Sequence, residues 1–221
     1  MDDLVKGIFI REEKTRFLCT VEIDGRKELC YVPSSCKLGK LISLEGETVC
    51  LKPIDNKKSD LNYGLFAVKK KQSWVLLNLA EANNVLENQL HRRLFAYLGK
   101  RRRIQREKKI QDYKSDIYLP ESETVIEIKT VLTEKRIGYF PTIESQRMKA
   151  QMSQLLGLFE EGYKIIYLII ALNPATKSIE ITDEMKTTFL KCISMGMQCK
   201  GYSIRFKDEK PIIYRQIDII T

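Results

Sequence analysis

Asp116, Glu127 and Lys129 are the residues of this chain whose types and spacing could do chemistry. On a strand, positions i and i+2 point to the same face. Glu127 and Lys129 therefore project together, with Ile126 and Ile128 on the other side. Asp116 stands 11 residues before Glu127, and a hairpin would bring it alongside. Two carboxylates and an ammonium then share one patch, and neighbouring carboxylates are costly unless a cation neutralises them. A magnesium ion, or manganese in its place, takes hard oxygen ligands and keeps water and phosphate oxygens in its shell. Held by Asp116 and Glu127, it would polarise a phosphodiester and lower the pKa of a bound water. Lys129 would position that water or stabilise the charge of a phosphorane-like transition state. The same residues also read as a surface charge pair flanking a buried strand.

The elements that must position this patch follow from periodicity. Residues 115–119 and 125–131 read as strands joined by the turn Pro120-Glu121-Ser122-Glu123. Residues 145–160 read as a helix with Met148, Met152, Leu155 and Phe159 on one stripe, ended by a left-handed Gly162. Residues 163–172 are apolar throughout, as in a central strand covered on both faces. A helix opens at Thr182-Asp183-Glu184 and runs to about residue 194, and strands follow at 202–206 and 212–220. Leu79, Ala82, Leu86, Leu90 and Leu94 predict a further helix over 79–95. The expected architecture of residues 78–221 is an α/β layer. Residues 1–77 read instead as about six short strands, at 5–11, 15–23, 26–32, 47–52, 63–69 and 74–77, with period-two alternation in the first three and Asp24-Gly25 as a hairpin turn. Short strands in a small unit predict a closed barrel, for which the five-stranded oligonucleotide-binding (OB) barrel is one candidate.

Charge points to the partner. The chain of 221 residues carries a net charge of +9. Residues 89–115 hold ten Lys or Arg against two Asp or Glu, and the flanking halves are close to neutral. The block includes Lys100, Arg101, Arg102, Arg103, Arg106, Lys108, Lys109 and Lys114. Such concentration favours a polyanion, nucleic acid first; a solvated basic face is the plainer meaning. Six cysteines without Cys-x-x-Cys spacing, and a single His91 near none of them, give no zinc pattern. The longest apolar run, residues 165–172, falls far short of the ~20 residues of a spanning helix. With no basic-then-apolar order at Met1-Asp2-Asp3-Leu4, the expectation is a soluble, cytoplasmic protein without a membrane partner.

The Asp…Glu-x-Lys pattern resembles that of restriction-endonuclease-like nucleases. Over most of its length the sequence also resembles the sugar fermentation stimulation protein A (SfsA) family. The matching marks occur in order: Phe9-Ile10-Arg11 and Arg16-Phe17; Val32-Pro33-Ser34-Ser35-Cys36-Lys37-Leu38; Asn78 and Ala82-Asn83; Glu107 ahead of Asp116; Glu127-Ile128-Lys129-Thr130-Val131; Phe140-Pro141; and Arg147. The resemblance implies an OB-like barrel at 1–77 followed by a restriction-endonuclease-like α/β domain at 78–221. It implies DNA or RNA as ligand and a metal site at Asp116 and Glu127 with Lys129 beside it. Glu107 is then a further ligand, and Arg147 and Lys37 are phosphate contacts beside the basic block.

Departures from the family pattern cluster in the barrel loop. Cys36 stands where the family has glycine and Lys37 where it has arginine, so the charge is kept and the bidentate fork is lost. Lys114 replaces another arginine, Thr142 an aspartate and Gln151 a histidine. Two functions follow: a metal-dependent nuclease, or a non-catalytic, weakly sequence-specific DNA-binding regulator of sugar-metabolism genes.

Overall fold

Alternating apolar and polar residues build the first sheet. The computed structural model describes residues 4–15, 17–34, 36–54, 61–142 and 146–221, without the Arg147 side chain. Met1 to Asp3, Arg16, Ser35 and Ser145, used in the sequence reading, lie outside the described residues. Six strands follow in order: β1 Val5–Glu12, β2 Leu18–Ile23, β3 Arg26–Tyr31, β4 Thr48–Pro53, β5 Tyr63–Lys70 and β6 Ser73–Leu76. Asp24 and Gly25 both take positive φ (49° and 75°), the backbone that a two-residue hairpin between β2 and β3 requires. β1 pairs with β2 and β4, β4 with β5, and β3 closes the ring on β5 through a parallel bridge at Tyr31 and Gly64. The result is a five-stranded barrel, with β6 continuing outward from β5. Gly7 permits the closure: a Cβ there would lie 2.6 Å from the Glu22 carbonyl oxygen.

The second half is a mixed eight-stranded sheet covered by helices. Its strands are β7 Gln105–Arg106, β10 Ile117–Leu119, β11 Thr124–Val131, β12 Ile137–Phe140, β13 Lys164–Ala171, β14 Ser178–Ile181, β15 Gln198–Lys207 and β16 Lys210–Ile220; β8 Lys109–Ile110 and β9 Tyr113–Lys114 form a separate hairpin. The order across the sheet is β12-β14-β16-β15-β13-β11-β10-β7. β11, β13 and β15 run parallel at its centre, which explains why β13 is apolar on both faces. Helix α1 spans Glu81–Glu87, α2 Gln146–Glu160 and α3 Asp183–Ser194. Met152, Leu155 and Leu158 of α2 and Met185, Phe189 and Cys192 of α3 pack on one face of the sheet. The opposite face, with Ile126, Ile128, Ile166 and Tyr202, shares one hydrophobic core with the barrel. The Leu76 amide also donates to the Leu172 carbonyl (3.2 Å), tying β6 to the end of β13.

The structure corrects the helix expected over 79–95. It stops at Glu87, and Arg93–Leu98 is a 3-10 segment. Asn83, Asn84 and Asn88 are weak helix formers, and tertiary bonds outbid the helical ones. Gln89 Oε1 accepts from the Ile213 amide (3.2 Å), and Arg92 donates to the Ile213 carbonyl (2.7 Å). Leu90 is nonetheless fully buried, so its spacing reported burial rather than helix. The edge strand β12, its neighbour β14 and the small strands β7 to β9 were not expected from the sequence. Among the described residues no helix is long and apolar enough to cross a membrane.

Candidate metal and nucleic-acid site

Register places the acidic residues side by side. Ile117 of β10 pairs with Ile126 of β11 on one side and with Arg106 of β7 on the other. One step further along, Asp116 faces Glu127 and Glu107, and the Glu107 amide donates to the Asp116 carbonyl (3.1 Å). Glu127 and Lys129 share the β11 face that carries Val125 and Val131 and packs against α2. They interrupt an otherwise apolar stripe, and the gap beneath α2 is a cleft of about 560 Å³, lined by Tyr113, Asp116, Glu127, Lys129, Met148 and Gln151.

Within this cleft Asp116, Glu127 and Lys129 each have defined partners. Asp116 Oδ2 accepts from the Ile128 amide (2.8 Å), and Oδ1 accepts from Asn83 Nδ2 of α1 (3.4 Å). Glu127 is 2 % exposed. Its Oε1 takes a charged hydrogen bond from Lys129 Nζ, and its Oε2 accepts from the Tyr113 hydroxyl. Lys129 Nζ donates also to Gln151 Oε1 (3.0 Å), so the residue at the family's histidine position touches the site. Burial pushes the Asp116 and Glu127 carboxyls above the ordinary carboxylate range; Lys129 opposes this at both, and repulsion from Asp116 adds to it at Glu127. Burial and the neighbouring Glu127 charge likewise push the Tyr113 phenol far up, so it stays a proton donor.

The donor set fits a hard divalent cation that keeps much of its water. Two carboxylates against one ammonium leave net negative charge in a largely buried cleft. Tyr167 lies directly opposite Glu127 on β13, and its buried hydroxyl has no hydrogen-bond partner among the described residues. Among the described residues, no three of His, Cys, Asp and Glu come together in a ready metal cluster. Glu107 sits at the rim on a left-handed residue (φ 50°), exposed and ion-paired with Lys114 (2.5 Å), which holds its carboxyl below the usual range.

The basic block does not form one uniform face. The Arg101 guanidinium donates to the carbonyls of Leu90 (2.7 Å) and Gly99 (2.6 Å), which tie it to the fold. Arg106 bonds Asn84 Oδ1 (2.9 Å) and pairs with Glu87 (3.3 Å). Arg103 stands 4.0 Å from Glu121, whose carboxylate also receives the Arg102 and Arg103 amides. Arg102, Lys108 and Lys109 are exposed and have no carboxylate within 4.0 Å among the described residues. Lys37 is exposed at the start of a 3-10 turn, where the Leu38 and Gly39 amides bind the Glu12 carboxylate (2.7 and 2.9 Å). Arg147 lies in the first turn of α2, and its side chain is outside the described residues. Sequence reasoning passed over Tyr113 as a site residue; its one signal was an aromatic three residues before Asp116.

Comparison with known proteins gives this geometry a setting. A family model described as the sugar fermentation stimulation protein RE domain matches residues 80–210, and one described as the SfsA N-terminal OB domain matches residues 12–77. A sugar fermentation stimulation protein homolog of Methanobrevibacter smithii is 30 % identical over 186 residues, 78 % of this chain and 77 % of that one. Another, of Acetivibrio thermocellus, is 25 % identical over 226 residues, covering 99 % and 94 %. The solved structure of Pyrococcus furiosus SfsA in complex with Ca2+ superposes with a TM-score of 0.85 at 16 % identity, over 100 % of this chain and 97 % of that one.

Proposed function

This chain belongs to the sugar fermentation stimulation protein (SfsA) family, and from that premise we propose that it is a metal-dependent nuclease hydrolysing phosphodiester bonds of DNA, RNA or both. The observation that carries the reading is the convergence of Asp116, Glu127 and Lys129 in one cleft of the α/β domain. In this reading Asp116 and Glu127 hold the ion, magnesium or manganese. The relative solved with Ca2+ supports a divalent cation with oxygen ligands. When bound, the ion supplies Lewis-acid polarisation of the phosphate and a more acidic water. Glu107 joins the ligand set only by leaving Lys114.

The chain's own residues do the rest. Tyr113 and Lys129 fix the two oxygens of Glu127, and the Ile128 amide and Asn83 fix Asp116, so both carboxylates are oriented before substrate arrives. Lys129, held by Gln151, places a positive charge where the scissile phosphate gathers negative charge. Arg102, Lys108 and Lys109, with Lys37 and Arg147, supply backbone contacts that carry no sequence information. The barrel, residues 1–77, is the nucleic-acid-binding module and residues 78–221 the catalytic one. The test is cleavage of labelled DNA and RNA by the full chain, titrated with Mg2+ and Mn2+. Cleavage that rises with metal and stops in EDTA supports the reading; binding without cleavage at any metal concentration would replace it with the non-catalytic DNA-binding regulator.

A further inference from the structure

A second basic surface lies beyond the carboxyl ends of β11 and β13 and was not apparent from the charge run. Two clefts of about 380 and 680 Å³ adjoin there, sharing Ser73 and Ala175. Arg205, Tyr214 and Arg215 line the first, with Trp74 at its wall; Lys71 and Arg136 line the second. The β15–β16 pairing skips a residue between Ser203–Arg215 and Ile204–Ile213, so Tyr214 is the extra residue of a bulge. Bulges re-aim side chains, and here the Tyr214 ring stands 38 % exposed. The guanidinium carbons of Arg205 and Arg215 lie 4.3 and 5.2 Å from its centroid. Arg215 is fixed further by a bond to the Pro174 carbonyl (3.3 Å). Lys71, Arg136, Arg205 and Arg215 have no carboxylate within 4.0 Å among the described residues; Lys70 beside them is neutralised by Glu47 and Glu134.

Unpaired cations crowded on one groove repel one another, so the arrangement favours an anion that binds several at once. Guanidiniums ordered on an aromatic ring present their forks to phosphates and their planes to bases. Half-buried Trp74 adds an indole at the same cleft. A cleft of this size admits a single nucleotide and excludes a duplex, whose bases offer no free face for stacking. We propose that this groove is a docking site for single-stranded nucleic acid, with Arg205 and Arg215 on phosphates and Trp74 stacked on an unpaired base. The proposal rests on the nuclease reading and deepens it: the substrate reaches Asp116 and Glu127 as an unpaired strand. The groove begins beyond Val131, the last residue of β11 and four residues past Glu127, so the strand alone separates it from Glu127 by about 13 Å at ~3.3 Å per residue.

Trp74 is the only tryptophan, so its fluorescence reads this groove alone. The full chain in EDTA, where no cleavage occurs, is titrated with a fluorescein-labelled thymidine 12-mer, a blunt 12-base-pair duplex and a poly-glutamate of equal charge. The 12-mer is expected to quench Trp74 as its anisotropy rises, with the duplex and poly-glutamate leaving the emission unchanged. Arg205→Ala with Arg215→Ala should weaken the 12-mer at least tenfold. Trp74→Ala should weaken it about fivefold or more. Arg205→Lys with Arg215→Lys keeps the charge and guards against misfolding, and should fall between wild type and the double alanine. Binding of the 12-mer with Trp74 emission unchanged and affinity indifferent to the arginine variants would overturn the groove while leaving the nuclease reading standing. Equal quenching by poly-glutamate would overturn it in favour of an acidic protein partner. No anisotropy change with either nucleic acid would overturn the nucleic-acid reading and the groove with it.

Discussion

Asp116→Asn should make the metal-free protein more stable at alkaline pH while removing its response to metal. Asp116 and Glu127 are neighbours on adjacent strands, where side chains stand about 5 Å apart. Two unit charges at that distance cost about 3 kcal/mol at an effective dielectric of ~20. Asp116 is half-buried, so solvent screens part of this, and Lys129 offsets part of the remainder. A net gain of about 1 kcal/mol is expected, or a Tm rise of about 2–4 °C for a chain of this size. Asparagine keeps an oxygen for the Ile128 amide, so the fold loses no backbone bond. Both carboxyls are raised in the folded chain, so it binds protons more tightly than the unfolded chain does. Wild-type stability without metal therefore falls as pH rises from about 4 through the raised values. The advantage of Asp116→Asn is absent near pH 4 and opens as pH rises to 8. Ten times Kd of Mg2+ should return about 1.4 kcal/mol to wild type and nothing to the variant. Thermal melts in EDTA and in Mg2+ across pH 4 to 8 read all of this. A variant less stable than wild type at pH 8 in EDTA, or one that Mg2+ stabilises equally, would refute the reasoning.

Lys129→Ala should lower turnover about 10²–10³-fold with metal affinity by calorimetry unreduced, since an ammonium is not a ligand. Tyr113→Phe removes a donor from the ionised Glu127, so the acidic limb of the pH–rate profile should move to higher pH, with a loss of about 1.5–3 kcal/mol in the hydrogen bond itself. Arg101→Ala orphans the Leu90 and Gly99 carbonyls and should lower Tm with little change in the salt dependence of DNA binding. Arg102→Ala, Lys108→Ala and Lys109→Ala should each flatten the log–log salt slope by about 0.9 on duplex DNA with Tm unchanged; thermal melts and salt titrations separate the two classes.

What the sequence made legible follows from how local each signal was. Alternation with period two marked the first three strands, and Asp24-Gly25 marked its own turn, whereas β5 is buried at every position from Gly64 to Val68 and carries no such alternation. The apolar run 163–172 marked β13, because only a strand buried on both faces tolerates it. Glu127 and Lys129 share a face by parity alone, and the turn after Leu119 sets Asp116 beside them. What stayed hidden depended on distant partners. The leucines at 79–94 are spaced for a helix, yet Gln89 and Arg92 bond β16 instead. Arg101 and Arg106 read as free charges until Leu90, Gly99 and Glu87 are folded against them. Strands β12 and β14 are four residues each and draw their pairing from one another and from β16. Tyr113 reaches Glu127 only because the β8–β9 hairpin packs over the sheet, a contact across 14 residues that no local pattern announces. Tyr214 depends on a bulge, which sequence alternation conceals.

The central claim is that Glu127 and its neighbours cut nucleic acid. Its most direct test compares Glu127→Gln with wild type in Mg2+-dependent cleavage of labelled single-stranded and duplex substrates, with circular dichroism and melts on both. The account predicts a folded variant that binds nucleic acid at least as tightly as wild type, because negative charge facing the phosphates is gone, and that cleaves neither substrate. A folded Glu127→Gln protein that cleaves at the wild-type rate would contradict it.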